Sequence, residues 1–216
     1  MLERERERVA AAARRLAVEG LVLGTAGNVS ERVGERVALT PTGAALDGLR
    51  AQEIAVVDLA GHQLDGELEV TSELLLHLEI YRRRDAGAIV HTHPPLATAL
   101  SCVLSELPVV HYQMLDLGGA IRVAPYETFG TPELAAATLD ALEQRSAALM
   151  ANHGAITHGP DLGAAVQRAL LLEWACTVYW RAAAIGAPRA LSDEQQLAFT
   201  EAVAQRGYGA TQRIER

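Results

Sequence analysis

The amino-acid sequence predicts an α/β fold in which helices cover a mixed sheet. Segments with the apolar spacing of amphipathic helices alternate with short apolar runs typical of strands, and the first half adds strand pairs around single glycines. Half of the 216 residues are hydrophobic, which is enough for one well-buried core. This loose alternation around one core is typical of a single α/β domain.

The N-terminal half is predicted to begin with a helix and to continue with hairpins. Residues 4–19 have helical spacing, and Gly20 ends the helix. A second helix follows from Ser72, with Thr71 or Ser72 as its cap. Between the two helices lie the turn GTAGNVS (24–30), the hairpin strands NVSERV and ERVALT (28–40) around Gly34, the turn TPTG (40–43), and the strand-like pair IAVVDL (54–59) and GHQLDGEL (61–68).

The C-terminal half is predicted to alternate strands with helices. The predicted strands are AGAIVHTH (86–93), LPVVHYQ (107–113) and SAALMANHG (146–154). The predicted helices are PPLATALSCVL (94–104), TPELAAATLDAL (131–142), a long helix over 161–186, and a last helix from Ser192 that opens a C-terminal segment, 192–216. No repeat or linker divides the chain, so one domain over residues 1–216 is expected.

Composition argues against several classes of function. The net charge is −8 and the only basic cluster is Arg82 to Arg84, so binding to nucleic acid or an anionic membrane is not expected. The sequence has neither an apolar run of membrane-spanning length nor an apolar leader segment, so a cytoplasmic protein is expected. Cys102 and Cys176 lie in apolar segments without CxxC spacing, which predicts buried, reduced thiols.

Every basic residue other than histidine is an arginine, because the chain contains no lysine. A Schiff-base enzyme needs a lysine amine, and the usual phosphate-binding P-loop also needs a lysine. Both are excluded for this chain. Chemistry on a carbonyl or a phosphate group would therefore depend on a metal ion, arginine or backbone amides.

Three histidines stand at predicted strand ends. His91 and His93 are two residues apart, so in a strand they share a face with Cα atoms about 6.6 Å apart. His153 ends another strand and precedes a glycine. Each histidine alone is more simply explained as a hydrogen-bonded residue at the rim of a core, but the three together favour a site for a borderline metal such as zinc.

For other polar residues near these strands, the sequence allows both a structural role and a role in the site. Glu73 opens a helix, where a carboxylate is favoured by the helix dipole, and it could also be a fourth metal ligand. His77, four residues later, could compete as a ligand, although a packed histidine is the simpler interpretation. We expect His62 in a hairpin turn and His158 in a loop to lie at the surface, and His111, in the strand over 107–113, is ambiguous.

The ordered set of motifs resembles the class II, zinc-dependent sugar-phosphate aldolases, with the fuculose-phosphate branch most similar. The resemblance runs from about residue 20 to residue 208. It rests on the segments GTAGNVS, TPTG, TSE, HTH, HY followed by GG, APYETFGT, NHG and GYG. It implies a single three-layer α/β/α domain with a mixed, mainly antiparallel sheet, and a homotetramer with active sites between subunits.

The resemblance also implies the roles of individual residues. One zinc ion per subunit, or another divalent ion such as Mn²⁺ or Co²⁺, would be held by His91, His93, His153 and Glu73. Glu73 would be a ligand in the resting state, and it would then leave the metal and act as the acid and base at carbon. Tyr112 from a neighbouring subunit would handle the proton on the aldehyde oxygen. With no lysine to form an iminium, the ion would absorb the charge left by aldol cleavage.

The phosphate group of the substrate would bind at three turns. The resemblance assigns it to Gly27 and Asn28, Thr42 and Gly43, and Thr71 and Ser72, where backbone amides can bind an anion despite the negative net charge. Each turn alone is more simply explained by ordinary turn and cap chemistry, and the three together, before a metal site, favour one anion pocket. Phe129 and Tyr208 match positions in the aldehyde pocket and the C-terminal tail.

The implied reaction is reversible cleavage of L-fuculose 1-phosphate or a related deoxyketose 1-phosphate, giving dihydroxyacetone phosphate and a small aldehyde such as L-lactaldehyde. Alternatives on the same scaffold are a 5-deoxyribulose-1-phosphate aldolase, a methylthioribulose-1-phosphate dehydratase, a ribulose-phosphate epimerase and a non-catalytic module like the adducin head. Glu73 argues against the epimerase branch, which has aspartate there. The departures from the fuculose branch, Asn152, Gln113, Leu115 and Asp116, leave the sugar open.

Overall fold

A computed structural model describes residues 1–206 of the chain. Within that range nine strands form one sheet in the order β4-β3-β2-β1-β5-β9-β8-β7-β6. The strands are β1 (Asn28–Val33), β2 (Arg36–Leu39), β3 (Ala55–Asp58), β4 (Gln63–Asp65), β5 (Ala88–Thr92), β6 (Glu106–Leu107), β7 (Ile121–Ala124), β8 (Ala147–Met150) and β9 (Gly154–Gly159). Only β7 and β8 pair in parallel, so the mixed, mainly antiparallel sheet is confirmed.

Helices cover both faces of this sheet. The helices are α1 (Glu3–Val18), α2 (Leu74–Arg83), α3 (Pro95–Ser101), α4 (Pro132–Ala141), α5 (Leu162–Ile185) and α6 (Asp193–Arg206). Along β5, Ile89 points into the core under α2 and α4, whereas Ala88 and Val90 point into the core under α1 and α5. A strand buried on both faces is apolar throughout, which explains the continuous run that precedes His91. The three-layer α/β/α arrangement is therefore confirmed.

The predicted strand over 107–113 was wrong for most of its length. β6 ends at Leu107, and Tyr112–Leu117 form a 3-10 helix, so His111 precedes a helix and lies outside any strand. Pro108 cannot donate a ladder hydrogen bond, which accounts for the early end of this edge strand.

Two strands, β7 and β9, were not predicted. β9 pairs with both β5 and β8 in the middle of the sheet, although its glycines at both ends gave it the pattern of a loop. His158 therefore lies in β9 and is half-buried, which corrects its expected place on the surface.

Two local predictions also need correction. Glu73, and neither Thr71 nor Ser72, occupies the N-cap position of α2, and the Thr71 hydroxyl accepts the backbone N–H of Glu73. Cys102 is exposed just after α3 ends, whereas Cys176 is buried as expected. Within residues 1–206, no helix is both long enough and apolar enough to cross a membrane.

Candidate metal centre and active site

His91, His93 and His153 meet at one edge of the sheet. One ring nitrogen from each lies within 4.8 Å of the others, and the Nε2 atoms of His91 and His93 are 2.9 Å apart. His91 is completely buried, and the other two side chains are half-buried. Two imidazole nitrogens at this separation repel unless a proton or a cation lies between them. The cluster therefore has the chemistry of a metal site.

The antiparallel pairing of β5 with β9 brings the third histidine to the other two. Thr92 at the end of β5 pairs with Ala155 near the start of β9, so the turn from β8 into β9 lies beside His93. Asn152 in this turn has φ of 55°, a left-handed conformation that asparagine tolerates better than most residues. This requirement explains asparagine at that position.

Gly154 permits the closest approach in the site. A Cβ atom there would lie 2.4 Å from the carbonyl oxygen of Thr92 and 2.9 Å from the ring of His93. Any other residue would have to displace the strand end or the imidazole. The glycine after His153 is therefore a steric requirement of the cluster.

The ring of His91 is fixed by its second nitrogen. Nδ1 lies 2.9 Å from the carbonyl oxygen of Ala155, which only accepts, so Nδ1 carries the hydrogen and Nε2 faces the cluster. Metal-binding histidines commonly donate the other ring N–H in this way.

Glu73 completes the cluster from the start of α2. Its Oε2 lies 3.1 Å from Nε2 of His91, and its Oε1 lies 3.5 Å from Nε2 of His153. The carboxylate is buried, and within the described chain Oε1 has no hydrogen-bond partner. A buried acceptor without a donor is costly, and a cation would satisfy it.

The electrostatics of the cluster favour an ionised carboxylate. Burial alone would raise the pKa of Glu73, but attraction to His91 and hydrogen bonds from His91 and Asn28 outweigh it, so this pKa lies well below its ordinary value. Burial likewise opposes a charge on His91, but the Glu73 carboxylate raises the pKa of His91 above its ordinary value. The carboxylate of Glu73 and the imidazole of His91 therefore stabilise each other's charged forms.

The other two imidazoles remain neutral. Burial, reinforced by the charge on His91, lowers the pKa of His93 to about 3 and that of His153 to about 4. Neutral nitrogens keep the lone pairs that a metal ion needs. Three imidazoles and a carboxylate are a donor set that zinc accepts, so the residues fit the expected ion.

His77 is not part of the donor set. Its ring is completely buried, with Nε2 at 2.5 Å from Oδ1 of Asn28 and Nδ1 at 2.7 Å from Oγ of Ser30. Burial lowers the pKa of His77 to about 3, so the ring is neutral. Both nitrogens are engaged, which removes it as a competing ligand and confirms the packed histidine.

A cavity of about 320 Å³ opens in front of the histidines. The predicted site residues that line it are Gly27, Asn28, Thr42, Gly43, Thr71, Ser72, Glu73, His93, Phe129 and His153. Sequence reasoning did not single out Thr25, Ala26, Pro41, Tyr126 and Glu127, which line the same cavity. None of the lining residues, all within 1–206, is an arginine. An anion there would depend on amides and hydroxyls.

Some backbone N–H groups at the cavity already donate within the protein, so they cannot bind a phosphate. The N–H of Thr42 donates to Glu69, and the N–H of Thr71 donates to Thr40. These two residues therefore offer their hydroxyl groups. The amides of Gly43 and Ser72 have no hydrogen-bond partner among residues 1–206, and both residues line the cavity.

Two further predicted residues lie apart from this cavity. Tyr112 lines a second cavity, where its ring packs on His111 and Phe199. Tyr208 lies outside the described residues. Phe129 lines the metal-site cavity with 64% of its surface exposed.

Glu173 is a supporting residue that sequence reasoning missed. Its carboxylate accepts the backbone N–H groups of Leu96 and Ala97 at 3.0 and 2.8 Å, which caps α3 directly after His93 and Pro94. Burial raises the pKa of Glu173, and the two N–H donors oppose that shift. Its position within an apolar helical stretch, eleven residues after the start of α5, carried no signal of this contact.

Comparison with known proteins agrees with this geometry. Residues 7–180 match the class II aldolase and adducin N-terminal domain family. The chain is 36% identical over 198 residues to the 5-deoxy-D-ribulose 1-phosphate aldolase of Bacillus thuringiensis, covering 90% of this chain and 93% of that protein. It is 40% identical over 188 residues to the 5-methylthioribulose-1-phosphate/5-deoxyribulose-1-phosphate aldolase of Rhodospirillum rubrum, covering 86% and 85%. A solved structure of L-fuculose 1-phosphate aldolase matches with a TM-score of 0.89 at 33% identity, covering 93% and 96%.

Proposed function

The chain belongs to the class II aldolase and adducin N-terminal domain family, and on that premise we propose that it is a metal-dependent aldolase. It reversibly cleaves L-fuculose 1-phosphate or a related deoxyketose 1-phosphate to dihydroxyacetone phosphate and a small aldehyde such as L-lactaldehyde. The observation that carries the proposal is the buried carboxylate of Glu73 beside three convergent imidazoles, at a cavity sized for a small ligand.

The residues that would hold the ion are His91, His93, His153 and Glu73. A divalent ion bound there, zinc or alternatively Mn²⁺ or Co²⁺, supplies Lewis-acid stabilisation of the charge that develops on the ketone fragment. The absence of lysine supports this assignment, because the chain has no amine for an iminium.

Glu73 is the acid and base at carbon. In condensation the ionised Glu73 takes a proton from carbon 3 of dihydroxyacetone phosphate, and carbon 3 then forms the bond to carbon 4. In cleavage that bond breaks, its electron pair stays on carbon 3, and the protonated Glu73 returns the proton to carbon 3. Oε2 is held by Asn28 and His91, whereas Oε1 has no partner among residues 1–206. We therefore assign the proton transfer to Oε1.

The phosphate group binds at the start of α2, at the turn of Thr42 and Gly43 after β2, and beside Gly27 and Asn28, which line the same cavity. Free amides of Gly43 and Ser72 and the hydroxyls of Thr42 and Thr71 are its donors. Hydrogen bonds to a charged group are stronger than neutral ones, so this set can bind an anion in a protein of net charge −8.

The aldehyde side of the site requires a second copy of the chain. In condensation the Tyr112 hydroxyl donates its proton to the aldehyde oxygen as that oxygen becomes an alkoxide, and in cleavage the deprotonated Tyr112 oxygen takes the proton back. Tyr112 lines a different cavity from Glu73, which supports its coming from a neighbouring subunit. We propose a homotetramer with active sites between subunits, in which Phe129 and Tyr208 complete the aldehyde pocket.

5-Deoxyribulose 1-phosphate is the second candidate substrate. It is favoured by the two relatives at 36% and 40% identity, whose names specify 5-deoxyribulose-phosphate aldolases. An apolar pocket discriminates one methylene by only about 1–3 kcal/mol, so one enzyme can accept aldehydes of similar size.

The test is release of dihydroxyacetone phosphate from a set of ketose 1-phosphates, coupled to NADH oxidation. We expect release by the metal-loaded protein, loss after chelation and recovery with zinc. His153→Ala should lose both metal and activity, whereas the control His62→Gln, on an exposed side chain far from the cluster, should keep both. A single product from zinc-loaded protein would overturn the aldolase in favour of a dehydratase or epimerase. Protein that binds no metal would favour a non-catalytic module.

A further inference from the structure

A chain of buried hydrogen bonds runs from the core of the protein to the carboxylate of Glu73. It links the side chains of Tyr81, Ser30, His77, Asn28 and Glu73, each no more than 6% exposed. The successive distances are 2.7 Å between the Tyr81 and Ser30 hydroxyl oxygens, 2.7 Å to Nδ1 of His77, 2.5 Å from Nε2 to Oδ1 of Asn28, and 2.9 Å from Nδ2 of Asn28 to Oε2 of Glu73.

Two spacings in the sequence, one on α2 and one on β1, bring these five side chains together. Glu73, His77 and Tyr81 follow one another at intervals of four residues, so they share one face of α2. Asn28 and Ser30 are two residues apart on β1 and share one face of that strand. Packing that helix face on that strand face alternates the five side chains in the observed order.

Chemistry fixes the direction of every hydrogen bond. Oε2 of Glu73 lies 2.9 Å from the Asn28 amide and 3.1 Å from Nε2 of His91, and these contacts hold Glu73 as an ionised carboxylate that only accepts. Asn28 therefore turns its NH₂ group towards Oε2 and its carbonyl towards His77. Nε2 of His77 must then carry the hydrogen, which leaves Nδ1 of the neutral ring as an acceptor for the Ser30 hydroxyl. Ser30 in turn accepts from Tyr81.

A reversed Asn28 amide would place its carbonyl oxygen against the Glu73 carboxylate. Two acceptors in contact repel, and the buried carboxylate would lose the one side-chain amide that donates to it among residues 1–206. His77 prevents this reversal because its N–H requires the Asn28 carbonyl. The tautomer of His77 therefore sets the orientation of Asn28.

We propose that His77, held in one tautomer by Ser30 and Tyr81, is a positioning residue that locks the Asn28 amide and thereby fixes Glu73 for metal binding and proton transfer. The proposal rests on the proposed function for its catalytic part only. The hydrogen bond from Asn28 holds Oε2 while Oε1 faces His153, so the carboxylate is oriented towards the cluster in the resting protein. Groups that support metal ligands in this way typically change metal affinity or activity 10–100-fold.

Metal-free protein gives the first test. In wild-type protein with ¹⁵N-labelled histidine, we expect NMR to show His77 as the neutral Nε2–H tautomer with a slowly exchanging proton. Ser30→Ala removes the donor to Nδ1 and should shift His77 towards the other tautomer. An Nδ1–H tautomer or a charged ring in the wild type would overturn the proposal.

Zinc affinity and kinetics give the second test. Ser30→Ala and Tyr81→Phe should weaken zinc binding, measured by competition with a chelator, and should lower kcat about tenfold while KM changes far less. Ser101→Ala and Tyr179→Phe are the matched controls. The Ser101 hydroxyl bonds within its own helix, and Tyr179, on α5, packs against a core cluster that contains none of the five hydrogen-bonded residues. His77→Gln should retain more zinc affinity than His77→Leu, because the glutamine amide can replace the N–H that Nε2 of His77 donates to Asn28.

These outcomes separate the two proposals. If the wild type cleaves no ketose 1-phosphate, the proposed function fails, yet the tautomer and the zinc affinities still decide the positioning role. If Ser30→Ala and Tyr81→Phe match their controls in zinc affinity and kcat, the positioning role is wrong even in an active aldolase. If the variants have a lower free energy of unfolding but bind zinc as tightly as the wild type, the buried hydrogen bonds have only a structural role.

Discussion

The carboxylate of Glu73 and the imidazole of His91 form a buried ion pair, with Oε2 and Nε2 3.1 Å apart. Glu73 comes from the start of α2, and His91 comes from the end of β5. Burial of both charges is costly unless they remain paired. A metal ion at the cluster would supply a positive charge beside the Glu73 carboxylate.

The first prediction concerns Gly154, whose backbone lies against Thr92 and the ring of His93. Gly154→Ala would place a methyl group 2.4 Å from the Thr92 carbonyl and 2.9 Å from the His93 ring, so the metal site should distort. We expect zinc affinity to fall at least roughly tenfold, as measured by chelator competition. Gly48→Ala is the control, because its Cβ would meet nothing within 4 Å. Equal affinities in the two variants would contradict the steric role.

The anion pocket makes a second prediction. Thr42→Val removes a hydroxyl that we assign to the phosphate group, so KM should rise roughly tenfold or more with a small change in kcat. The reason is that this bond forms equally in substrate and transition state. Thr177→Val, whose hydroxyl bonds within α5, should leave KM unchanged. A kcat effect in Thr42→Val without a KM effect would argue against phosphate binding at this turn.

Neutral histidines make the metal-free protein sensitive to acid. The pKa of His77 and His93 is lowered to about 3 and that of His153 to about 4, against 6.5 for an ordinary histidine. Their contribution to the free energy of unfolding is therefore full above pH 6.5 and is lost as the pH falls towards 3. Each group steepens the loss by at most about 1.4 kcal/mol per pH unit.

Urea unfolding in the presence of a chelator measures this slope. His153→Gln should have a shallower fall in the free energy of unfolding between pH 6.5 and pH 4 than the wild type. The pKa of His91 is raised by Glu73. The contribution of His91 to the free energy of unfolding is therefore full below pH 6.5 and is lost as the pH rises above it. Stability of the metal-free protein that stays constant down to pH 4 would refute the buried, neutral histidines.

The separation of Tyr112 from Glu73 makes a prediction about assembly. Glu73→Gln and Tyr112→Phe should each be nearly inactive, but mixed oligomers of the two should regain part of the activity. Some sites in a mixture combine an intact Glu73 with an intact Tyr112 of a neighbouring subunit. Co-expression with two different affinity tags isolates the mixed oligomer. Failure to recover any activity in that oligomer would place both residues in one subunit.

The sequence was sufficient to predict a mixed sheet and the cluster of three histidines at its edge, because both rest on local patterns. The spacing of His91 and His93 indicates a shared strand face, and the apolar run before them indicates a buried strand. β9 escaped prediction because its sequence, GAITHG, has too few apolar residues and too many glycines, and its burial comes from pairing with β5 and β8.

The supporting contacts of the site could not be derived in the same way. Asn28 was assigned to an anion turn, and its contact with Glu73 depends on how β1 meets α2 across 45 residues of sequence. Glu173 reaches the start of α3 across 76 residues or more. Such contacts follow from tertiary packing, for which a single sequence has no local signal.

Hydrogen exchange at carbon 3 of dihydroxyacetone phosphate tests the central claim most directly. In D₂O and without aldehyde, the zinc-loaded wild type should exchange one carbon-bound proton of this compound, followed by ¹H NMR, because Glu73 removes and returns it. Glu73→Gln, shown to be folded and to hold zinc, should exchange it at least roughly a hundredfold more slowly. Exchange at the wild-type rate in Glu73→Gln would contradict the role of Glu73 at carbon.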